Sequence, residues 1–142
     1  MNGETIAMKA LTLFICAIAA LAAPMTADAQ SLKPQTRWVN NHDSELVIQS
    51  IGPDGSLTGT YSSSLHSFPC RNIAFPVVGW VDGDRISYTM RTKAGSVDCQ
   101  SITSWTGYLH DGRLYAEWSL AYFDTETKRP TLNRGTDVYR PK

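Results

Sequence analysis

From residue 36 to residue 140 the chain alternates. Apolar and aromatic residues recur at every second position, in short runs rich in Val, Ile, Thr, Tyr and Trp, with almost no helical periodicity. The alternation predicts eight strands, at about 36–40, 44–51, 56–62, 73–81, 85–92, 101–109, 114–122 and 135–140. "GPDG" (Gly52 to Gly55), "DGD" (Asp82 to Asp84) and "HDG" (His110 to Gly112) are tight-turn sequences, each with a glycine free to take positive φ. They join the second strand to the third, the fourth to the fifth and the sixth to the seventh. The connections at 63–72, 93–100 and 123–134 read as long loops, and the one at 41–43 as short but polar.

Tight and loose connections therefore take turns along the chain. In an up-and-down meander every loose connection then falls at one end and every tight turn at the other. Closing eight such strands on themselves removes the exposed edges of an open sheet. The predicted fold is all-β, an eight-stranded antiparallel up-and-down β-barrel. Eight strands leave an interior wide enough for side chains or for one small ligand.

The segment before the first strand has a different pattern. Lys9 precedes an apolar run, "ALTLFICAIAALAA", which ends in "ADAQ". A basic residue, a short apolar core and an A-x-A site read as a secretory leader over 1–29, with the barrel domain over 30–142 and a secreted or periplasmic product. No other apolar stretch is long enough for a membrane helix. Thirteen basic and thirteen acidic residues cancel over the chain, and no basic run stands out, so neither nucleic acid nor an anionic membrane is an expected partner. Of three cysteines, Cys16 lies in the leader. Cys70 and Cys99 remain, and in an exported chain such a pair is more often oxidised than free. They have no second Cys pair or His pair at zinc-ligand spacing, so no metal site is expected.

The inward faces carry the candidate chemistry. In "SITSWTG", Ser101, Thr103, Trp105 and Gly107 share one face. A packed core would place Val, Ile or Leu there, and a solvent face would place charge. Hydroxyls leading to an indole point to a concave site for a small polar ligand. The same parity turns Trp38 and Asn40, then Ser44, Leu46 and Ile48, then Leu57, Gly59, Tyr61 and Ser63 inward. It does so for Ala116, Trp118 and Leu120 and for Gly135 and Asp137. On five strands the inward polar residue lies next to the loose end, and deeper positions are apolar. Asn40, Ser44, Tyr61, Ser63, Ser101, Thr103 and Asp137 should converge on one half of a cavity, with Trp105 and Trp118 as walls.

The segments "WVNNHDSELVI", "DGSLTGTYSS", "FPVVGWVDGDRISY", "SITSWTGYL", "EWSLAY" and "GTDVY", in this order and spacing, resemble the avidin and streptavidin family of biotin-binding barrels. The likeness runs from Trp38 to Tyr139 and is greatest to the dimeric bacterial avidins of the rhizavidin kind, which place their two cysteines as Cys70 and Cys99 stand here. The resemblance implies a Cys70–Cys99 disulfide. It implies non-catalytic, high-affinity binding of biotin, or of biotinylated molecules, as a bound ligand and not a cofactor. Asn40, Ser44 and Tyr61 would donate to the ureido oxygen, and Asp137 and Ser63 would accept from the ureido nitrogens. Thr103 would face the thioether sulfur, Ser101 and the loop near Ser64 to His66 the valeryl carboxylate. Trp105, Trp118 and Leu120 would line the rings and chain.

Two positions depart from the family pattern. Thr92 stands where the family has a tryptophan late in the fifth strand, which by parity leaves a shorter inward wall. "FDTETKRPTLNR" lacks the tryptophan that tetrameric members reach into a neighbour's site with. Together with "IAFPVVGWV", apolar on both faces, this leads us to expect a homodimer. Trp38 reads as floor packing and Trp80 as interface or exposed surface. His42, His66 and His110 sit in loops or turns, and no catalytic set can be built from them. Two other functions fit such a barrel: carriage of a different small ligand, and inhibition of an enzyme by the rim loops with the cavity filled by its own side chains.

Overall fold

A computed structural model of the chain describes residues 31–142, and the expected leader over 1–29 lies outside the described residues. The strands are β1 (Thr36–Asn40), β2 (Glu45–Ile51), β3 (Ser56–Ser62), β4 (Ala74–Asp82), β5 (Arg85–Ala94), β6 (Val97–His110), β7 (Arg113–Asp124) and β8 (Arg129–Pro141). Each pairs antiparallel with the next, and β8 returns to β1, so the barrel is closed. The seam is short: Trp38 faces Pro141, Val39 faces Arg140 and Asn40 faces Tyr139.

Period-2 alternation governs burial throughout. On β5, Ile86, Tyr88, Met90 and Thr92 are buried while Arg85 and Arg91 face water. On β4, Phe75 and Val77 enter the core while Ala74, Pro76, Val78 and Trp80 point outward. Leu46, Ile48, Leu57, Ile86, Leu109 and Leu114 are among the apolar side chains that fill the barrel core. That packing leaves the polar inward residues near one end as the walls of a cavity.

Two connections differ from the expected loops. The stretches 93–100 and 123–134 are hairpins: β5 runs on to Ala94 and β6 starts at Val97, turning at Gly95 with φ 53°. β7 runs to Asp124 and β8 starts at Arg129. Asp124 Oδ1 accepts from the amides of Glu126 and Thr127 at 2.8 and 3.0 Å, which builds the turn. Backbone ladders continue beyond the packed part of the barrel. There Cys99 is the one buried side chain, so the apolar alternation that marks a strand in sequence fades while the pairing persists.

The connection at 63–72 is a true loop. Its base is closed by the Asn72 amide donating to the Ser63 carbonyl at 2.8 Å, and two turns follow each other through Phe68 and Arg71. A disulfide joins Cys70 in this loop to Cys99, with Cα atoms 5.9 Å apart. Cys99 belongs to β6 and not to a loop. The bridge spans 29 residues in sequence, which corresponds to roughly 3–4 kcal/mol of unfolded-state constraint. Replacing both cysteines with serine should lower unfolding stability by about 3 kcal/mol in urea titration, with a wild-type protein that shows no free thiol by mass spectrometry. An unchanged urea midpoint would mean that the bridge does not restrain the unfolded chain.

Candidate ligand-binding site

The open end of the barrel holds a cavity of about 140 Å³. All ten residues expected there line it: Asn40, Ser44, Tyr61, Ser63, Ser101, Thr103, Trp105, Trp118, Leu120 and Asp137. His42, Leu65, Phe68 and Met90 complete the lining. The cavity is not filled by its own side chains, as a purely rim-acting barrel would require.

The β1–β2 turn sets the first group. Asn40 Oδ1 accepts from the amides of His42 and Ser44, at 3.0 and 2.9 Å. Both lone pairs of that oxygen are used, so the amide NH2 of Asn40 is left to donate into the cavity. Ser44 Oγ accepts from the Ser64 amide at 3.0 Å, which ties this turn to the β3–β4 loop. Ser63 Oγ accepts from the Leu65 amide at 3.3 Å and keeps a second lone pair. The Tyr61 phenol lies in hydrogen-bonding range of Ser44, Tyr139 and Asn40, and its pKa is pushed up to about 12, by burial first and by the Asp137 carboxylate second. Tyr61 is therefore a donor at any ordinary pH.

Among the described residues Asp137 is the only carboxylate lining the cavity, and it is buried. Its Oδ2 accepts from Trp105 Nε1 at 3.0 Å and from the Tyr139 hydroxyl at 3.1 Å. Tyr88 lies 2.9 Å from the Tyr139 hydroxyl. Tyr139 donates its one O–H to the carboxylate, so Tyr88 is the donor to Tyr139. A line of directed bonds thus runs from Tyr88 through Tyr139 to Asp137, leaving Oδ1 as the carboxylate's other acceptor. Burial raises the pKa of Tyr88 and Tyr139 too, which keeps both protonated.

Trp105 has two duties. Its N–H holds Asp137, and its ring sits between Tyr88, stacked at 4.9 Å and 12°, and Tyr61, tilted at 4.7 Å and 42°. Trp118 stands opposite Trp105 in the β6–β7 register. A Cβ at Gly135 would lie 2.3 Å from Trp118 Cζ2, so any other residue there would have to displace the indole.

Thr92 corrects the sequence reading. Parity places it inward correctly, and it is 1% exposed, but it does not line the cavity as a wall. Its hydroxyl donates to the Cys99 carbonyl and lies 2.7 Å from the Ser101 hydroxyl. The sequence reading also missed Tyr88 and Tyr139 as supports of Asp137, and Phe68 as part of the lining. Tyr139 shares a strand face with Asp137, which was the available signal.

A closed barrel with a polar-walled cavity at one end defines a class of small-ligand-binding barrels. The chain belongs to the avidin family, whose model matches residues 28–142. Afifavidin of Afifella pfennigii is 28% identical over 106 residues, an alignment that takes in 72% of this chain and 65% of afifavidin, just under two thirds of that relative's length. The crystal structure of apo shwanavidin superposes with a TM-score of 0.70 at 33% identity, over 80% of this chain and 99% of its own. The rhizavidin–biotin complex superposes with a TM-score of 0.70 at 26% identity, over 78% and 92%.

The raised tyrosine pKa makes stability depend on alkaline pH. Below pH ~10, Tyr61 is protonated in both folded and unfolded chains and its contribution is constant. Between pH ~10 and about 12 only the unfolded chain ionises, so stability falls across that window. Urea unfolding at pH 9 and pH 11 should show a smaller loss in Tyr61→Phe than in wild type, by roughly 1–2 kcal/mol. Equal losses in the two proteins would place Tyr61 in contact with solvent.

Proposed function

We propose that the protein binds biotin non-catalytically in this cavity. The observation that carries the reading is the match between the polar groups and a cyclic urea. A urea offers one acceptor oxygen and two N–H donors in a plane. Asn40, Ser44 and Tyr61 supply donors on one side, and Asp137 and Ser63 supply acceptors on the other. Preorganised donors and acceptors shielded from water bind more strongly than the same groups in solution. A ligand without the urea would leave buried polar groups unmatched and be rejected. Trp105, Trp118 and Leu120 provide apolar walls for the rings and chain, with Thr103 toward the thioether. The rhizavidin–biotin complex, similar in fold to this chain, supports the assignment.

The protein should be retained on biotin-agarose and released by excess free biotin, whereas passage through the column would refute the reading. Asp137→Ala and Tyr61→Phe each remove one partner from a buried polar set. Each should weaken biotin binding by about 1–3 kcal/mol by calorimetry, with the larger loss at Asp137. Binding as tight as wild type in both would mean that the urea does not sit between them.

We further infer an exported homodimer. The outer face of β4 supports it: Val78 and Trp80 are 61% and 65% exposed. Beside them run hydroxyl residues, Ser87 and Thr89 on β5 and Ser104 and Thr106 on β6, with Ile102 and Tyr108 exposed on the same strand. A face of this composition is suited to cover by a second copy. Light scattering should give a dimer at micromolar concentration, and Trp80→Glu should shift it to monomer. A monomeric wild type would overturn the inference.

A further inference from the structure

The layer beneath the cavity holds two phenols whose hydroxyls packing alone does not require. Tyr88 and Tyr139 are 1% and 0% exposed, and neither lines the cavity. A ligand in the cavity therefore touches neither of them. Phenylalanine would fill the same space without carrying a polar group into the core. A buried hydroxyl without a partner is destabilising, so each of these two needs one. Among the described residues their hydrogen-bonding neighbours are each other, Asp137 and the Tyr61 phenol. Asp137 and Tyr61 both line the cavity.

Asp137 is held at one oxygen by donors from two strands. Trp105 Nε1 reaches it from β6 at 3.0 Å and the Tyr139 hydroxyl from β8 at 3.1 Å. A carboxylate held by a single donor can turn about its Cβ–Cγ bond, a torsion with broad minima, and keep that donor. Two donors converging on Oδ2 remove this freedom, and Oδ1 keeps one direction. Tyr88 adds the third link. It donates to Tyr139 at 2.9 Å, which leaves the Tyr139 O–H to the carboxylate. Tyr88 is itself fixed, opposite Trp105 in the β5–β6 register and stacked on its ring at 4.9 Å. The same indole therefore meets both ends of the line. Its N–H holds Asp137 and its ring holds Tyr88, so the set closes on itself.

We propose that Tyr88 and Tyr139 are positioning residues for ligand binding: acting through Asp137, they hold Oδ1 in line for a ligand N–H and raise affinity without touching the ligand. This rests on the biotin reading above. An acceptor that is already aimed loses less freedom when the ligand arrives.

Biotin affinity by displacement calorimetry, measured beside unfolding in urea, separates positioning from packing. Tyr139→Phe should weaken biotin binding about tenfold and Tyr88→Phe about threefold, within the range of coupled neighbours in one network. The double variant Tyr88→Phe, Tyr139→Phe should bind no more weakly than Tyr139→Phe, because both residues act through one bond to Asp137. It should also resist urea better than Tyr139→Phe, since no hydroxyl at Tyr88 is left without its acceptor. If Tyr139→Phe does not fold, the double variant should still fold and show the loss of about tenfold. With Asp137 already replaced by alanine, Tyr139→Phe should change biotin affinity by about twofold at most. Wild-type affinity in both Tyr139→Phe and the double variant, or an undiminished effect of Tyr139→Phe in the Asp137→Ala background, would overturn this inference and leave biotin binding standing. Failure of the wild type to bind biotin would overturn the biotin reading itself, and this inference with it.

Discussion

A buried carboxylate decides how this barrel is organised. Asp137 sits on β8 among aromatic side chains, where an unpartnered charge would be strongly destabilising. Trp105 and Tyr139 hold one oxygen, and Tyr88 holds Tyr139. Those bonds orient three large rings drawn from β5, β6 and β8. The stacking of Tyr88 and the tilt of Tyr61 against Trp105 follow from where that indole N–H must point. Apolar packing below and the polar cavity above meet at this layer. Its rigidity is what leaves the remaining donors and acceptors aimed into open space with few alternatives of their own.

Most of this could be read from residue order because a strand has an exact two-residue period. Once Ser101 is known to face in, Thr103 and Trp105 must as well, and so the ten lining residues came out of parity and resemblance together. Two kinds of feature were hidden. The extended hairpins at 93–100 and 123–134 lack apolar alternation, since Cys99 is the one buried side chain there, and backbone pairing leaves no mark on composition. The roles of Tyr88, Tyr139 and Thr92 were hidden for another reason. Parity puts all three inside, but an inward tyrosine or threonine has packing as its default role. Only the positions of the hydroxyls show that Tyr139 serves Asp137 and that Thr92 serves Cys99 and Ser101.

The cavity's two sides are built to different standards of order. The side formed by β5 to β8 is continuous ladder. The other includes the 63–72 loop, which contributes Ser63, Leu65 and Phe68 and would be the natural place for mobility. It is restrained three times over: at its base by Asn72 and Ser63, near its start by Ser64 on Ser44, and near its end by the bridge to Cys99. A loop already held in place loses less freedom when a ligand arrives. Cys99 also supplies the carbonyl that accepts from the Thr92 hydroxyl, so one residue ties down both the loop and the end of β5.

The seam between β1 and β8 has a temporal consequence. Neighbouring strands elsewhere follow one another in the chain, by turns or by the 63–72 loop, and each can pair as soon as it is made. Among the described strands, β1 and β8 make the only pairing that links distant parts of the chain, with Asn40 facing Tyr139 across it. Asp137 lies two residues from that contact. Such a closure costs the most chain entropy and forms last in the simplest order of events. Until it forms, Asn40 is on one edge of an open sheet and Asp137 on the other. The convergence of Asn40 and Asp137 on one cavity therefore exists only in the completed ring.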